Sequence, residues 1–401
     1  MPDEQTIKRL NRNIKLFGVY KVFTKRVFIP LITIYATQQA GLNIQQIGIT
    51  SMAASIVSLL FDTTTGFWAD TYGRKRSAQV GAALAVVASL LYVLSNDFTG
   101  ILSASLVLAA GYSFMNGSMD ALVHDSLVVL KRVDDYARIA SRAQAFALIA
   151  NAALVTLIPM LYPIDKRLPF VAGMVAYGVL FCLSSLLEEP KIHHDATQEE
   201  RKFIRTVRML VNRRTILFFV MAGLAYSAAT GTVDVFNLAQ LELGLSVKYL
   251  GLIYGISSLV GAALGFVVHR LKKLSFRTYV SIDFFTTFTL FIGYGVIRWL
   301  PLALFTFFLN FSFWRYQQIM YQHYILGLYG TTRYKATIIS LLTNFRSLNE
   351  VWLALASTTA AQHFGLLNTI GYGAVFMLLA WPVLLFSVTQ FSAHIKAETA
   401  S

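Results

Sequence analysis

Long apolar runs, each closed by a short polar or charged turn, alternate along the whole chain. A run of about 20 apolar residues is what a helix needs to cross the hydrocarbon core, and on that scale the length admits roughly a dozen crossings. The punctuation predicts a first block of spans at Asn13 to Thr37, Ile44 to Ala69, Ser77 to Leu94, Thr99 to Leu127, Tyr136 to Leu161 and Leu168 to Leu187. A second block follows at Thr215 to Leu241, Val247 to Val268, Phe276 to Val296, Pro301 to Leu328, Tyr334 to Ala361 and Leu366 to Phe391. The expected fold class is an all-α membrane protein. Its domains are an N-terminal six-helix bundle over 1–187, a cytoplasmic linker over 188–214 and a C-terminal six-helix bundle over 215–401. The third span, apolar and small throughout, reads as a lipid-facing support.

Composition agrees, with 56% hydrophobic and only 13% charged residues, where soluble domains carry about 25% charge. The formal net charge of +14 raises a nucleic-acid partner, but the basic residues fall almost entirely on one set of loops. That asymmetry records orientation in a bilayer, with the basic side in the cytoplasm, and removes the nucleic-acid reading. Both termini then lie in the cytoplasm, and the polar, basic stretch Met1 to Lys15 has no signal-peptide cleavage site. The single cysteine, Cys182, excludes an intramolecular disulfide framework. Within the linker, Phe203, Val207 and Val211 repeat at helical spacing among Arg201, Lys202, Arg205 and Arg208, the pattern of an amphipathic helix on the inner leaflet.

The turn after the second span, Gly66-Phe-Trp-Ala-Asp70-Thr-Tyr-Gly73-Arg74-Lys75-Arg76, resembles the signature loop between the second and third helices of the major facilitator superfamily of transporters. The resemblance covers essentially the full chain through span count, central linker and this loop. It implies that Gly66, Asp70, Gly73 and Arg74 belong to a cytoplasmic gate, with Thr71 standing where the family usually has Arg. Asp125, at the end of the fourth span, is the expected partner of Arg74. The two blocks also repeat, as parallel transporter halves do. Gly41-Leu-Asn-Ile44 with Gly48 recurs as Gly244-Leu-Ser-Val247 with Gly251, Gly66-Phe67 as Gly265-Phe266, and His124 as His323.

Charges inside the spans need a separate account, because a cation at a helix centre costs about 2.5–3.5 kcal/mol on insertion scales and must point inward. The first span carries Lys21, Lys25 and Arg26, the second Asp62, and the fourth Asp120 and His124. Counted at about 1.5 Å per residue, Lys21 and Asp62 fall at similar depth. Reception of an anionic solute group by Lys25 or Arg26, and structural pairing with Asp62 and Asp120, both stay open. In the second block, Tyr226, Thr230, Asp234 and Asn237 form one stripe, Arg315, Gln318 and Gln322 another, and Thr343, Arg346, Asn349 and Glu350 a third. The substrate-binding set is Lys21, Lys25, Arg26, Asp234, Arg315, Gln318, Arg346 and Asn349. Proton-coupling candidates are Asp62, Asp120, His124 and Glu350, with Asp234 and Asp283 also ionisable.

No phosphate loop, His-Glu-x-x-His or paired-Cys motif occurs. Neither an enzyme, a metal nor a cofactor is therefore expected. The resemblance implies a secondary transporter working by alternating access. The cations inside spans point to a proton-coupled carrier of a small organic anion or amphipathic acidic solute in the cytoplasmic membrane. Its partners are the solute, the bilayer and protons, and it acts as a monomer. Proton-driven efflux of hydrophobic compounds is the alternative within transport, although the fifth span lacks the Gly-Pro-rich signature of drug antiporters. A non-transporting receptor or scaffold is the alternative outside it.

Overall fold

The computed structural model describes residues 4–24, 28–190, 213–271, 273–329 and 335–400. The expected linker helix around Phe203 to Val211 lies outside these residues, as do Lys25 and Arg26. The described chain forms α1 (Glu4–Phe23), α2 (Ile29–Gln38), α3 (Ile44–Tyr72), α4 (Arg74–Leu94), α5 (Phe98–Met115), α6 (Ser118–Val129), α7 (Tyr136–Leu157) and α8 (Leu168–Ser185). It continues with α9 (Arg213–Ser227), α10 (Val233–Glu242), α11 (Leu250–Leu271), α12 (Phe276–Ile292), α13 (Leu300–Tyr329), α14 (Lys335–Phe364) and α15 (Leu366–Ala400). The pairs α5–α6 and α9–α10 continue one another across short breaks, and with α1 and α2 taken as the first span these helices make the 12 spans of an all-α membrane fold.

The breaks correct the expectation of single helices at the first, fourth and seventh spans, and each has a local cause. Pro30 stands in the first turn of α2, where a missing N–H costs nothing because the first amides of a helix have no partner within it. Phe28, at the start of α2 and fully buried, packs its ring on Phe170 at 4.9 Å. Between α5 and α6, Gly117 takes φ 73°, a left-handed turn that side chains resist. Between α9 and α10 the sequence Ser227-Ala-Ala-Thr-Gly-Thr232 turns its hydroxyls on its own backbone. Ser227 donates to the Gly223 carbonyl at 2.7 Å and Thr232 to that of Ala228 at 2.6 Å, the back-bonding that bends helices.

By length and composition, 8 stretches are apolar enough to cross a membrane among the described residues. The spans outside that set are the first, seventh, tenth and eleventh. They are broken or rich in polar side chains, so the weakest hydropathy marks where chemistry is placed.

The chain divides into two units. One comprises Met1–Leu42, Ala53–Ala196 and Val247–Gly255, and the other Asn43–Met52, Thr197–Ser246 and Ile256–Ser401. In the first unit α4 packs on α5 and α8. Ala78, Ala82, Ala85 and Ala88 are buried there, while Val87, Leu90 and Leu94 face outward. Small residues let the backbones approach closely, as membrane helices require, so one face of α4 packs within its unit while the face of Val87, Leu90 and Leu94 stays open. Asn13, fully buried, ties three elements: its amide donates to Ser126 Oγ at 2.9 Å and to the Glu188 carbonyl at 2.8 Å, and its oxygen accepts the Glu188 N–H at 3.0 Å. Outside the spans, the Gly100 N–H and the Thr99 hydroxyl hold the Asp97 carboxyl below its ordinary range as it caps α5. In the second unit α9 packs on α14 and α12 on α15, and Phe218 stacks on Phe391 at 4.0 Å.

The repeated glycines have parallel uses. Gly41 and Gly244 both take positive φ, 67° and 98°. A Cβ on Gly48 would fall on the Thr358 hydroxyl, and one on Gly251 on the Val155 carbonyl. Each contact lies within one of the two units. Gly48→Val is therefore expected to lower stability by about 1–3 kcal/mol, the range for overpacking, read as a fall in Tm of the purified protein. An unchanged Tm would show that this approach is not tight.

Candidate functional site

In the first unit the basic loop is bound to its own bundle. Arg74, at the start of α4, directs one guanidinium nitrogen to Asp125 Oδ2 at 2.8 Å and another to Asp70 Oδ1 at 3.3 Å. Asp125 is buried at the far end of α6, with His124 Nδ1 at 3.6 Å. The His124 ring lies edge-on to Tyr136. Gly73 has φ 106°, and the carboxylate of Glu189 occupies the space beside it, accepting the N–H groups of Arg74 at 2.8 Å and Lys75 at 2.7 Å. An anion on the exposed amides of a helix start is favoured by both hydrogen bonding and the helix dipole. Sequence reasoning missed Glu189. Its signal was the acidic pair Glu188-Glu189 directly after the sixth span. A Cβ on Gly66 would meet nothing within 4 Å, so packing does not explain that glycine.

Lys21 points inward and meets Asp120, Nζ to Oδ1 at 2.8 Å. Asp120 stands in the first turn of α6, just past the break, where the helix start stabilises a carboxylate. The ammonium also lies 4.9 Å from the Phe17 ring. Of the two acids considered for Lys21, Asp120 holds it, and Asp62 sits on an exposed part of α3.

The second unit assembles the larger polar cluster. A Cβ on Gly223 would meet the backbone of Phe345 and Arg346 at 2.9–3.0 Å, so α9 and α14 touch there. The Arg346 guanidinium consequently lies 4.4 Å from the Tyr226 ring centre and 5.8 Å from that of Trp314. Its Nε donates to Glu350 Oε1 at 2.9 Å and its NH1 to the Tyr226 hydroxyl at 3.2 Å. Thr230, in the break between α9 and α10, donates to the same Glu350 oxygen at 2.6 Å. Gln318 Oε1 accepts the Tyr226 hydroxyl at 3.5 Å. Charge, ring faces and neutral donors thus converge from three spans.

Other predicted residues are placed differently. Asn349 is buried, donating to the Phe345 and Val220 carbonyls and accepting from Trp352 Nε1 at 2.9 Å. Asp234 accepts from the Ser51 hydroxyl at 2.6 Å. Arg315 lies over Gly261 of α11 and donates to Ser258 Oγ at 2.6 Å. It forms no ion pair among the described residues, and its Nε is buried without a partner. Asp283, 2% exposed on α12, accepts from Gln317 Nε2 at 2.7 Å and the Tyr321 hydroxyl at 3.2 Å. Among the described residues it has neutral donors and no ion pair. No group of metal-ligating side chains occurs among the described residues.

A sequence model of the major facilitator superfamily matches residues 21–349. The chain belongs to the major facilitator superfamily. It is thus a multi-pass membrane transport protein with two related six-helix bundles. A relative from Bacillus subtilis (strain 168), the uncharacterized MFS-type transporter YxaM, is 22% identical over 93% of this chain and 94% of its own. Among solved structures, the nucleoside transporter NupG matches with a TM-score of 0.77 at 10% identity, over 95% of this chain and 99% of that one. A POT family transporter in complex with 5-aminolevulinic acid matches with a TM-score of 0.70 at 11% identity, over 98% and 96%. At such identities the likeness is one of fold.

For this superfamily member, Glu189→Ala uncovers two amides at a helix start. It is expected to cost about 0.5–2 kcal/mol, as loss of a cap does, and to speed hydrogen exchange at Arg74 and Lys75. Unchanged exchange there would contradict the capping role.

Proposed function

We propose that this protein is a proton-coupled secondary transporter, working by alternating access, that carries a small organic acid with an apolar or ring-bearing body across the cytoplasmic membrane. Both termini lie in the cytoplasm. The observation that carries the reading is the charge state of the spans. Lys21 and Arg346 each meet a carboxylate, whereas Arg315 meets only the hydroxyl of Ser258 among the described residues. A guanidinium inside a span without an acid is complementary to a solute carboxylate, which its planar fork binds through two parallel hydrogen bonds.

The Arg346 cluster supports the other two parts of the reading. The rings of Tyr226 and Trp314 beside the guanidinium offer a surface for an amphipathic body. Coupling follows from Glu350 sharing that guanidinium. An anionic group arriving at Arg346 competes with Glu350 for the cation, and Glu350 is the group assigned to the coupled proton. Solute and proton then load together and the net charge of the cluster is conserved. The acidic solute of the POT family complex shows that a protein of this fold binds a small acid.

Two measurements in liposomes test this. Arg315→Gln is expected to weaken binding of the transported acid by about tenfold or more, as loss of a charge-assisted pair of 1.5–3 kcal/mol does. Arg315→Lys should recover part of it, and unchanged binding in Arg315→Gln would refute the anion site. Glu350→Gln should abolish uptake driven by an imposed pH gradient while leaving solute exchange at equal pH. Gradient-driven uptake that survives would remove Glu350 from coupling.

A further inference from the structure

The second unit contains a cavity of about 310 Å³ that the transport reading does not use. Its wall is formed by α9, the break after it, α10, α12, α14 and α15. No charged side chain lines it, so it does not suit the acidic solute argued above. Its geometry is that of a slot between α14 and α15. Across it Trp352 and Phe376 stand with ring centres 6.5 Å apart, and Phe364 and Tyr372 stand 5.5 Å apart. In each pair one ring comes from α14 and one from α15. Between the pairs α14 presents Ala356, Ser357 and Ala360, and α15 presents Gly373.

All four rings are exposed, between 43% and 57%. The slot is therefore open at the surface between α14 and α15, and an apolar opening between two spans suits hydrocarbon. From Trp352 to Phe364 the helical rise is about 18 Å, close to the roughly 15 Å depth of one leaflet of the hydrocarbon core. One more feature points to the same occupant. Thr369, 8% exposed, lines the cavity three residues into α15, and its hydroxyl has no partner. The turn joining α14 to α15 lies at the end of two spans, the depth at which the ester groups of a glycerolipid sit.

We propose that this cavity binds one acyl chain of a membrane glycerolipid, entering between α14 and α15, with the Thr369 hydroxyl donating to the ester carbonyl. The bound chain packs on Ala228 and Thr232 in the seventh-span break and on Trp352, whose Nε1 holds Asn349 one turn from Arg346. Lipid in the slot thereby stiffens the backbone that carries Thr230 and its bond to Glu350.

The test uses the full chain in liposomes doped with phosphatidylcholine bearing a diazirine in mid-acyl position, followed by irradiation and mapping of the adducts. Adducts are expected on Ala356–Ala360 and Tyr372–Met377 in excess over an ordinary lipid-facing surface such as Val175–Val179 of α8. Ala360→Phe, which fills the slot, should reduce the slot adducts about tenfold, the factor that corresponds to 1.4 kcal/mol, and leave those on α8 unchanged. Thr369→Val should reduce them less. Should Ala360→Phe fail to assemble, Ser357→Leu fills the same space. Slot labelling equal to that of α8, or undiminished by filling, overturns the proposal.

Discussion

A charge enclosed by hydrocarbon must find an opposite charge, a set of polar atoms or water, and this constraint orders the interior of the protein. Lys21 meets Asp120, Arg74 meets Asp125 and Arg346 meets Glu350. Each pair lies within one of the two units. Arg315 departs from the pattern, with a hydroxyl where the others have a carboxylate. A transporter needs such a departure, because an interior in which every charge is satisfied has nothing left to offer a solute.

The helix breaks serve the same end. A continuous helix fixes the direction of every side chain it carries, and a break re-aims those beside it. Where α9 gives way to α10, Thr230 is released to reach Glu350. Where α5 gives way to α6, the new helix start lies beside Asp120, which pairs with Lys21. The broken spans and the polar ones together are those of lowest apolar content, apart from the fourth. Polar cost is thus concentrated in a few elements while α4, α8 and α12 remain apolar and supply the packing.

Much of this was legible in the residue order, because membrane insertion writes itself as run length and as the side on which Lys and Arg collect. The Gly66 to Arg76 loop, the span count and the repeat of Gly48 as Gly251 needed no coordinates. The breaks were missed because apolar run length is blind to backbone geometry. Pro30, the Asn116-Gly117 turn pair and the hydroxyl-rich Ser227 to Thr232 stretch each carried the signal. Partner choice was harder. Residue counting put Asp62 at the depth of Lys21, whereas Lys21 pairs with Asp120 in the first turn of α6, past the break. Asn349, read as facing solute, is taken up by the backbone of α9 and by Trp352, because the close approach at Gly223 turns that side of α14 into a helix interface.

A double-mutant cycle on Arg346 and Glu350 measures the governing constraint directly. If charge balance within the bundle is what matters, Arg346→Met and Glu350→Leu should each lower stability by about 1.5–3 kcal/mol, as loss of a hydrogen bond to a charged group in a half-buried site does. The double replacement should then regain most of that loss in Tm. Losses that simply add in the double mutant would contradict the account, since the two charges would then be acting independently.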